Sequence, residues 1–511
     1  MHCPHTMSVT KDPWTRRFIA LLLFLLGLRI LFLLVAPLDL SPDEAYYWDW
    51  SRRPDWGYYS KPPMVAWIIW ASTSLLGDTA FSVRLPAALL ATGSLVPVYL
   101  LACRLFGGRA AFFSALGAAV MPGTAVLGLA MTIDPPLVFA WSIAMYAFWQ
   151  AADGRDRPIW WIATGLACGL GLLSKQTMAA FAFLALIFLI LTPGPRSALK
   201  GPWPYAAVAL AASCLIPVCL WNMGHGWITL EHTAHHFDPH KQTFLSVTSV
   251  LSFLGSQAGV VSPILFFLIL AAGSVLLVRI RSLAPETRYL FVMSCLPLLG
   301  ITVLALRQDI NANWPAPFYL AAPILLAGLF SRNGQDLMPL LYPLRRLYIP
   351  GILLGATLTA ILFASPWAVS IFGIDGKKMD PTVRLRGWKT LGERIGAVID
   401  TFPNGEKPFL LGVRRQVTSE LAFYSPGRPR TYRWTPSPHK VKTQYELWPN
   451  PMEDGLAGKD ALIVLDERDR LPQGLAASFE MVEDLGRIRI PLGRHGERTY
   501  RLYMGRVLRS W

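Results

Sequence analysis

Residues 18–50 read FIALLLFLLGLRILFLLVAPLDLSPDEAYYWDW, an apolar run that ends in two adjacent carboxylates and a group of aromatic side chains. A helix needs about 20 apolar residues to cross the hydrocarbon core of a bilayer. The run is too long for a signal-peptide core and lacks a small-residue cleavage site, so we expect it to remain as a first span. Arg29 lies near its middle, where charge is costly, and we expect a structural role inside the helix bundle.

Charged residues divide the rest of the chain into two parts. The sequence has 511 residues, of which 53% are hydrophobic and 15% are charged. Residues 1–369 hold 38 Lys, Arg, Asp and Glu side chains, whereas the much shorter segment 370–511 holds 41. A soluble domain is about 25% charged. We therefore expect a polytopic membrane module in 1–369, with its catalytic first outer loop at 39–80, and a soluble periplasmic domain in 370–511.

Hydropathy predicts eleven spans in the first part of the chain. They are 18–38, 81–101, 110–129, 136–152, 159–173, 178–191, 203–221, 261–278, 289–306, 314–330 and 348–367. Residues 64–76 and 246–256 are apolar but short, and counting them would raise the total to twelve or thirteen. We expect 64–76 to lie along the membrane interface.

The distribution of Lys and Arg sets the expected orientation. With a cytoplasmic N-terminus, fifteen of these residues fall in cytoplasmic loops and seven in outer loops. Cytoplasmic loops of membrane proteins carry an excess of Lys and Arg, so this orientation is favoured. The C-terminal domain is then periplasmic in a bacterium with two membranes. Helical spacing at 388–400 and strand-like runs at 408–413, 460–466, 487–491 and 499–504 predict an α/β fold for it.

Three acids are expected at the outer face of the membrane. Asp43 and Glu44 follow the first span, and Asp134 follows the third. Each could simply cap a helix, because carboxylates are stabilised at helix N-termini. Their occurrence at one membrane face favours a shared chemical role, in which a carboxylate takes the proton of an acceptor.

Three cations are expected at the same face. Lys61 precedes two prolines, Arg84 begins the second span, and Lys175 lies at the outer mouth of the fifth. Cations at this depth can simply meet lipid phosphates. Together with the acids they suit a reaction in which a phosphate leaves and a hydroxyl or phosphate attacks, because the cations stabilise the departing phosphate.

Six motifs together resemble the glycosyltransferase family 39 superfamily of GT-C fold, whose members are similar to dolichyl-phosphate-mannose-protein mannosyltransferases. The motifs are DEAYYW at 43–48, GYYSKPPM at 57–64, FSVRLP at 81–86, TIDPPLVFAW at 132–141, LSKQT at 173–177 and NANWPAP at 311–317. The similarity covers most of 18–330. It is nearest to the bacterial enzymes that add aminoarabinose or galacturonic acid to lipid A and the lipopolysaccharide core. Lys61 stands where many members have His, and Gln176 where many have Tyr.

The resemblance implies a membrane enzyme that transfers a sugar, with inversion, from a polyprenyl-phosphate donor on the outer face of the inner membrane. Its acceptor would be lipid A, the lipopolysaccharide core or a related envelope glycan. Asp43, Glu44 and Asp134 match catalytic positions and Lys61 the donor-phosphate contact. The remaining positions expected to bind donor or substrate are Tyr59, Arg84, Lys175, Asn313 and Trp314. No cofactor and no metal ion are implied.

A histidine-rich segment is the one candidate for a metal site. His232 and either His235 or His236, with Glu231 or Asp238, would supply suitable ligand types, since zinc accepts His at i and i+4 on a helix. The alternative is an outer loop of polar interfacial residues lining the substrate cleft, and we favour the latter.

Rival functions are weaker on the same residues. A protein O-glycosyltransferase is a variant within the class. A lipid or sugar transporter or flippase should place ionisable groups near the bilayer midplane, where Arg29 stands alone. A sensor would leave the outer acids and cations without a joint purpose. Nucleic acid is excluded as a partner, because no run of five basic residues exists.

Overall fold

The computed structural model describes residues 12–153, 158–234, 245–331, 340–403, 407–436 and 441–511, and most of them are helical. The α-helices of the first part are α1 Pro13–Val35, α2 Pro42–Ser51, α3 Met64–Leu76, α4 Ala80–Gly93, α5 Leu95–Phe106, α6 Gly108–Ala119, α7 Pro122–Leu127, α8 Asp134–Ala152, α9 Pro158–Ser174, α10 Ala179–Leu191, α11 Pro193–Arg196, α12 Trp203–Ser213, α13 Ile216–Gly224, α14 Ile228–Ala234, α15 Val247–Val261, α16 Pro263–Val278, α17 Pro285–Met293, α18 Cys295–Leu304, α19 Ala321–Ser331 and α20 Tyr348–Ile371. Those of the second part are α21 Trp388–Ile399, α22 Arg415–Tyr424 and α23 Gln473–Ala477.

The apolar helices of the first part are more broken than hydropathy predicts. Five helical stretches among the described residues are long and apolar enough to cross a membrane, or seven if two sharply bent pairs each count as one span. By length and composition this is fewer than the eleven predicted spans, and other apolar helices of the described part, such as α3 and α9, are shorter. Prolines explain several breaks, because they disfavour helix in the preceding residue. Met121 before Pro122 is extended and separates α6 from α7. The bend of 116° between α15 and α16 falls at Ser262, before Pro263.

Arg29 has a structural place in the bundle, as expected. Its side chain is 1% exposed. It donates to the Thr92 hydroxyl of α4 at 2.6 Å and to the Thr124 carbonyl of α7 at 3.3 Å. Gly128 makes room for it, since a Cβ there would collide with the guanidinium. The charge therefore ties α1 to its neighbours instead of lying in a transport path.

The second part is the α/β domain that the sequence predicts. Five strands, β1 Phe409–Gly412, β2 Thr431–Arg433, β3 Ala461–Asp466, β4 Phe479–Pro491 and β5 Glu497–Leu508, form one sheet in the order β2-β1-β3-β5-β4. β1 pairs in parallel with β2 and β3, whereas β5 pairs antiparallel with β3 and β4. Leu391 and Ile395 of α21 are buried in its core. The three-residue β2 was too short for the sequence pattern to show.

This domain packs directly on the loop that follows α1. Trp48 and Trp50 of α2 share a hydrophobic cluster with Phe423 of α22. The Tyr424 hydroxyl accepts a hydrogen bond from the Leu40 amide at 2.7 Å. The first loop and the C-terminal domain therefore form one packed unit above the apolar helices.

Candidate active site

Helix α2 starts with a capping box that does not involve Asp43. The Ser41 hydroxyl accepts from the Glu44 amide, and the Glu44 carboxylate accepts from the Ser41 amide at 2.8 Å. Pro42 occupies the first helical position, where its fixed φ is favourable. The capping role considered for Asp43 therefore belongs to Ser41 and Glu44, and the Asp43 carboxylate projects elsewhere.

Glu44 and Arg84 form a buried ion pair. Two nitrogens of Arg84 donate to the two carboxylate oxygens of Glu44 at 2.9 and 2.8 Å. The Met131 amide donates to the same carboxylate at 3.0 Å, in addition to the Ser41 amide. Arg84 also donates to the carbonyls of Leu38 and Asp39. Glu44 is 0% exposed and Arg84 7%. These two residues join the ends of α1, α2 and α4 to the segment before α8 instead of facing an open site.

Asp134, Lys175 and Asn313 come together from three distant parts of the chain. Lys175, just after α9, donates to one oxygen of Asp134 at 2.8 Å, and the Asn313 amide donates to the other at 2.7 Å. Asp134 and Lys175 are buried, whereas Asn313 is exposed. Three positions that the sequence singled out therefore form one hydrogen-bonded group, here called the Asp134 centre.

Asp43 reaches an arginine of the C-terminal domain. Arg415, the first residue of α22, donates to the Asp43 carboxylate at 2.8 Å and lies over the Tyr46 ring at 4.7 Å. The Asp43 side chain is 52% exposed, far more than Glu44 or Asp134. Tyr47 is buried beside both acids, and burial together with Asp43 and Asp134 raises the pKa of its hydroxyl. Arg415 and Tyr47 were not predicted as site residues.

Lys61 is close enough to Asp134 and Asp43 to interact electrostatically with both. Burial and the neighbouring Lys175 lower the pKa of its ammonium, while Asp134 and Asp43 act in the opposite direction. The ammonium makes no ion pair with any described residue. A partly desolvated cation without a fixed partner, close to two carboxylates, is suited to an anionic ligand.

Tyr59 and Trp314 form hydrogen bonds with other groups. The Tyr59 amide donates to the Gln444 side chain at 2.7 Å, and its hydroxyl is 3.2 Å from the His232 ring nitrogen. Trp314 is half-buried in the turn after α18, where its amide donates to the Asn311 carbonyl. Among the described residues, Tyr59 makes no hydrogen bond to Asp43 or Asp134.

The proposed metal ligands are only partly described. His232 and Glu231 lie on α14, whereas His235, His236 and Asp238 are outside the described residues. Across the described part of the chain, no group of three or more His, Cys, Asp or Glu side chains could hold a metal ion.

An apolar cavity of about 330 Å³ leads to the Asp134 centre. Most of its wall is apolar side chains of α7, α15 and the segment 312–319. Thr132, Asp134 and Asn313 supply polar groups. An apolar wall that ends at a carboxylate suits a molecule with a lipid tail and a polar head.

Comparison with solved structures defines the class of the fold. The chain is similar to ArnT from Cupriavidus metallidurans, with a TM-score of 0.60, 17% identity and coverage of 96% of this chain and 97% of that one. It is also similar to the oligosaccharyltransferase AglB from Archaeoglobus fulgidus, with a TM-score of 0.52, 14% identity and coverage of 90% and 70%. The fold is that of a GT-C membrane glycosyltransferase, and the predicted fold class is confirmed.

Sequence relatives define the family more closely. Residues 60–221 match the family described as dolichyl-phosphate-mannose-protein mannosyltransferase. The lipid A galacturonosyltransferase RgtD of Rhizobium johnstonii is 31% identical over 351 residues, which cover 65% of this chain and 72% of that protein. An undecaprenyl phosphate-alpha-4-amino-4-deoxy-L-arabinose arabinosyl transferase of Pseudomonas aeruginosa is 29% identical over 329 residues, 59% of this chain and about half (54%) of its own length. The chain belongs to this family of membrane glycosyltransferases, as its motifs predict.

Proposed function

We propose that this protein transfers a sugar from a polyprenyl-phosphate donor to lipid A, the lipopolysaccharide core or a related envelope glycan. The observation that carries the proposal is the Lys61 ammonium, which makes no ion pair with any described residue and interacts electrostatically with Asp134 and Asp43. The relatives support the choice of substrates, since their names include lipid A galacturonosyltransferase and undecaprenyl phosphate arabinosyl transferase. A lipopolysaccharide core galacturonosyltransferase of Rhizobium johnstonii, 23% identical, also matches.

The donor is proposed to lie with its phosphate at Lys61 and its polyprenyl chain in the apolar cavity that ends at Asp134. Lys175 is held by Asp134 at 2.8 Å and adds positive charge beside the phosphate. Both cations stabilise the negative charge that develops as the bond between the sugar's anomeric carbon and the phosphate oxygen breaks. The electron pair of that bond leaves with the polyprenyl phosphate.

Asp43 is proposed to act on the opposite side of the sugar. An acceptor oxygen attacks the anomeric carbon from the face away from the phosphate, and the configuration inverts. If the acceptor is a hydroxyl, the Asp43 carboxylate takes its proton. If the acceptor is a phosphate, no base is needed, and Asp43 orients the acceptor or stabilises the positive charge on the anomeric carbon. Its 52% exposure gives an acceptor access from water.

Glu44 and Arg84 are proposed as positioning residues instead of the catalytic and phosphate-binding residues that the motifs suggest. Both side chains are buried. The two carboxylate oxygens of Glu44 and the three guanidinium nitrogens of Arg84 already form hydrogen bonds with protein groups. The pair holds α2 in place, so that Asp43 faces outward from the first turn.

The chain is proposed to be an inner-membrane protein with a cytoplasmic N-terminus and a periplasmic C-terminal domain. The fifteen-to-seven distribution of basic residues supports this orientation. Residues 1–369 would form the membrane module and 370–511 the periplasmic domain, which brings Arg415 to the same face as Lys61.

The proposal is tested by comparing the masses of lipid A and core oligosaccharide from a deletion strain that expresses wild type, Asp43→Asn or Asp153→Asn. Asp153 pairs with Arg104 at an exposed site and serves as a matched carboxylate control. We expect one added sugar mass with wild type and Asp153→Asn, and none with equally abundant Asp43→Asn. Unmodified lipids together with sugar-modified envelope proteins would show that the acceptor is a protein and not a lipid. Full modification by Asp43→Asn would contradict the catalytic assignment.

A further inference from the structure

A second cavity lies in the C-terminal domain, beyond the ends of the central strands β1 and β3, and Pro42 next to Asp43 helps to line it. Its volume is about 660 Å³, within the range of small-molecule sites. Gln416 and Val417 of α22 also form part of its wall. The cavity is therefore shared between the C-terminal domain and the loop that carries the proposed catalytic acid.

The topology of the domain favours ligand binding at this end of the strands. β1 and β3 are parallel, and the cavity lies beyond their carboxyl ends, next to Asp466 at the end of β3. Ligands of α/β domains bind in such crevices, where loops from neighbouring strands meet. The N-terminus of α22 also opens here and has no side-chain cap among the described residues. Its free amide groups favour a negative charge.

Four arginines line the cavity, and two of them form ion pairs among the described residues. Arg414 is paired with Asp469 and Arg468 with Asp466, so their charges are largely compensated. Arg384 and Arg498 make no ion pair with any residue that the structure describes.

The guanidinium of Arg498 is held in place. It lies over the Trp388 ring at 4.8 Å, and it donates to the Val383 carbonyl at 3.2 Å. Arg384 is exposed on the adjoining turn. A fixed guanidinium beside a free one suits an oxyanion, because guanidinium groups bind phosphate and carboxylate with directed hydrogen bonds.

The remaining wall suits the hydroxyl groups of a sugar. Glu467, Glu497, Gln416 and Thr499 present acceptors and donors around the cavity, and the Trp388 ring adds an apolar face. A saccharide that carries an anionic group would use both kinds of surface. The two glutamates already pair with arginines of β4. A hydrophobic ligand would cover Gln416 and Thr499 without offering them hydrogen bonds, which is costly.

We propose that this cavity binds the anionic sugar headgroup of the acceptor and thereby delivers the acceptor to Asp43. The proposal rests on the lipid acceptor of the proposed function and adds a site for it, with Arg384 and Arg498 as the anion-binding residues. The donor would then be held by the membrane module and the acceptor by the C-terminal domain. Arg415, whose side chain lies between α22 and Asp43, would join the two sites.

The direct test is binding of the water-soluble glucosamine disaccharide 1,4′-bisphosphate to the full-length protein in detergent, measured by titration calorimetry without donor. Wild type, Arg384→Glu and Arg498→Leu are compared with Arg509→Ala, a control at an exposed site that pairs with Glu480. We expect about tenfold weaker binding in each cavity variant and no change in the control, since one charge-assisted hydrogen bond is worth about that much. Unfolding temperatures are measured for all variants, and Arg384→Glu carries the test if Arg498→Leu proves unstable.

Separate probes identify the group that is bound. Inorganic phosphate and the unphosphorylated disaccharide should each bind far more weakly than the bisphosphate. Equal binding of inorganic phosphate alone would show an anion site without a headgroup and would overturn the proposal. Equal binding by wild type and Arg384→Glu would also overturn it.

The transfer assay separates this proposal from the proposed function. With lipid A as acceptor, the cavity variants should raise the acceptor KM about tenfold, while the donor KM stays within about twofold. Normal acceptor KM values in the variants would refute the cavity assignment and leave the transferase intact. A wild type that binds the disaccharide but transfers no sugar to any lipid would contradict the proposed function and retain the site.

Discussion

The two acids assigned to catalysis differ sharply in their surroundings. Asp134 is 4% exposed, and each of its carboxylate oxygens accepts from a side chain of the membrane module. Asp43 is half-exposed and shares one hydrogen bond with Arg415 of the C-terminal domain. One acid is therefore fixed within the membrane module, and the other is open to solvent at the boundary with the second domain.

The different surroundings indicate which substrate each acid would face. At Asp134 both carboxylate oxygens accept hydrogen bonds, so this acid is suited to holding Lys175 and Asn313 in position. In the proposed function, the lipid-tailed donor approaches from the apolar cavity on this side. A half-exposed carboxylate can receive a water-borne headgroup and its proton. In the proposed function the two centres thus divide the donor and acceptor between them, and Lys61 interacts electrostatically with both acids.

The largest expected effect is loss of transfer in Asp43→Asn with little change in stability. Removal of the charge should lower kcat by at least about a hundredfold if Asp43 is a general base. The free energy of unfolding should change by less than about 1 kcal/mol, because exposed ion pairs contribute little. Transfer rates and unfolding temperatures of the purified protein check both parts. A loss of several kcal/mol of stability together with the loss of activity would show that Asp43, like Asp134, is needed for the fold.

Asp134→Asn should reduce both stability and transfer, because it leaves the Lys175 ammonium buried without its counter-charge. Breaking a buried pair costs about 3–5 kcal/mol. The double variant Asp134→Asn with Lys175→Met removes both charges, and it should regain most of the stability and none of the activity. Thermal unfolding and transfer assays on the three variants decide this. Recovery of activity in the double variant would show that the Asp134 centre is structural.

Lys61 should set an alkaline limit on donor binding. Burial and Lys175 lower the pKa of its ammonium, so the charge is lost as pH rises through that lowered pKa. The donor KM should then increase. Lys61→Arg stays charged and should move the alkaline limit to higher pH, whereas Lys61→Met should raise the donor KM at every pH. Donor KM values measured over a pH series test this, and identical alkaline limits in wild type and Lys61→Arg would assign the limit to another group.

The sequence predicted one of these centres better than the other. Asp134 and Lys175 each border an apolar segment at the same membrane face, so topology was enough to group these two. Asn313 was predicted only by the resemblance of its NANWPAP motif to the family. Arg415 is 372 positions from Asp43, in a domain whose packing on the first loop depends on tertiary contacts that no local pattern encodes. The burial of Glu44 with Arg84 was hidden for the same reason, since an acidic motif looks alike whether it is open or enclosed.

The fold shows a similar division. Composition located the two parts of the chain, and alternation in 408–413 and 460–466 predicted β1 and β3. The continuity of the spans was overestimated, because hydropathy averages across a proline. Hydropathy did keep 246–256 apart from 261–278, but the bend of 116° between α15 and α16 depends on the backbone of Ser262, whose φ is 103°. Apolar character is a property of composition, whereas a bend is set by a few dihedral angles.

The smallest expected effect concerns the contact between α22 and the first loop, which carries Asp43. Glu420 of α22 is 1% exposed, and neither of its oxygens has a hydrogen-bond partner among the described residues. Burial raises the pKa of its carboxyl well above the usual range, and Asp39 and Glu44 raise it further, against Arg84 and Arg498. The neutral acid is therefore the form that the fold accepts.

Because this pKa is higher in the folded than in the unfolded protein, its contribution to stability is full at low pH and is lost as pH rises through the folded value. Glu420→Gln stays neutral and should become more stable than wild type by a margin that grows with pH. Unfolding temperatures over a pH series measure this margin, with the exposed Glu480→Gln as the control. Parallel curves for wild type and Glu420→Gln would show that the carboxyl is ionised in the folded protein. In that case charge repulsion with Glu44 and Asp39, relieved by Arg84, would govern how the C-terminal domain is held on the loop.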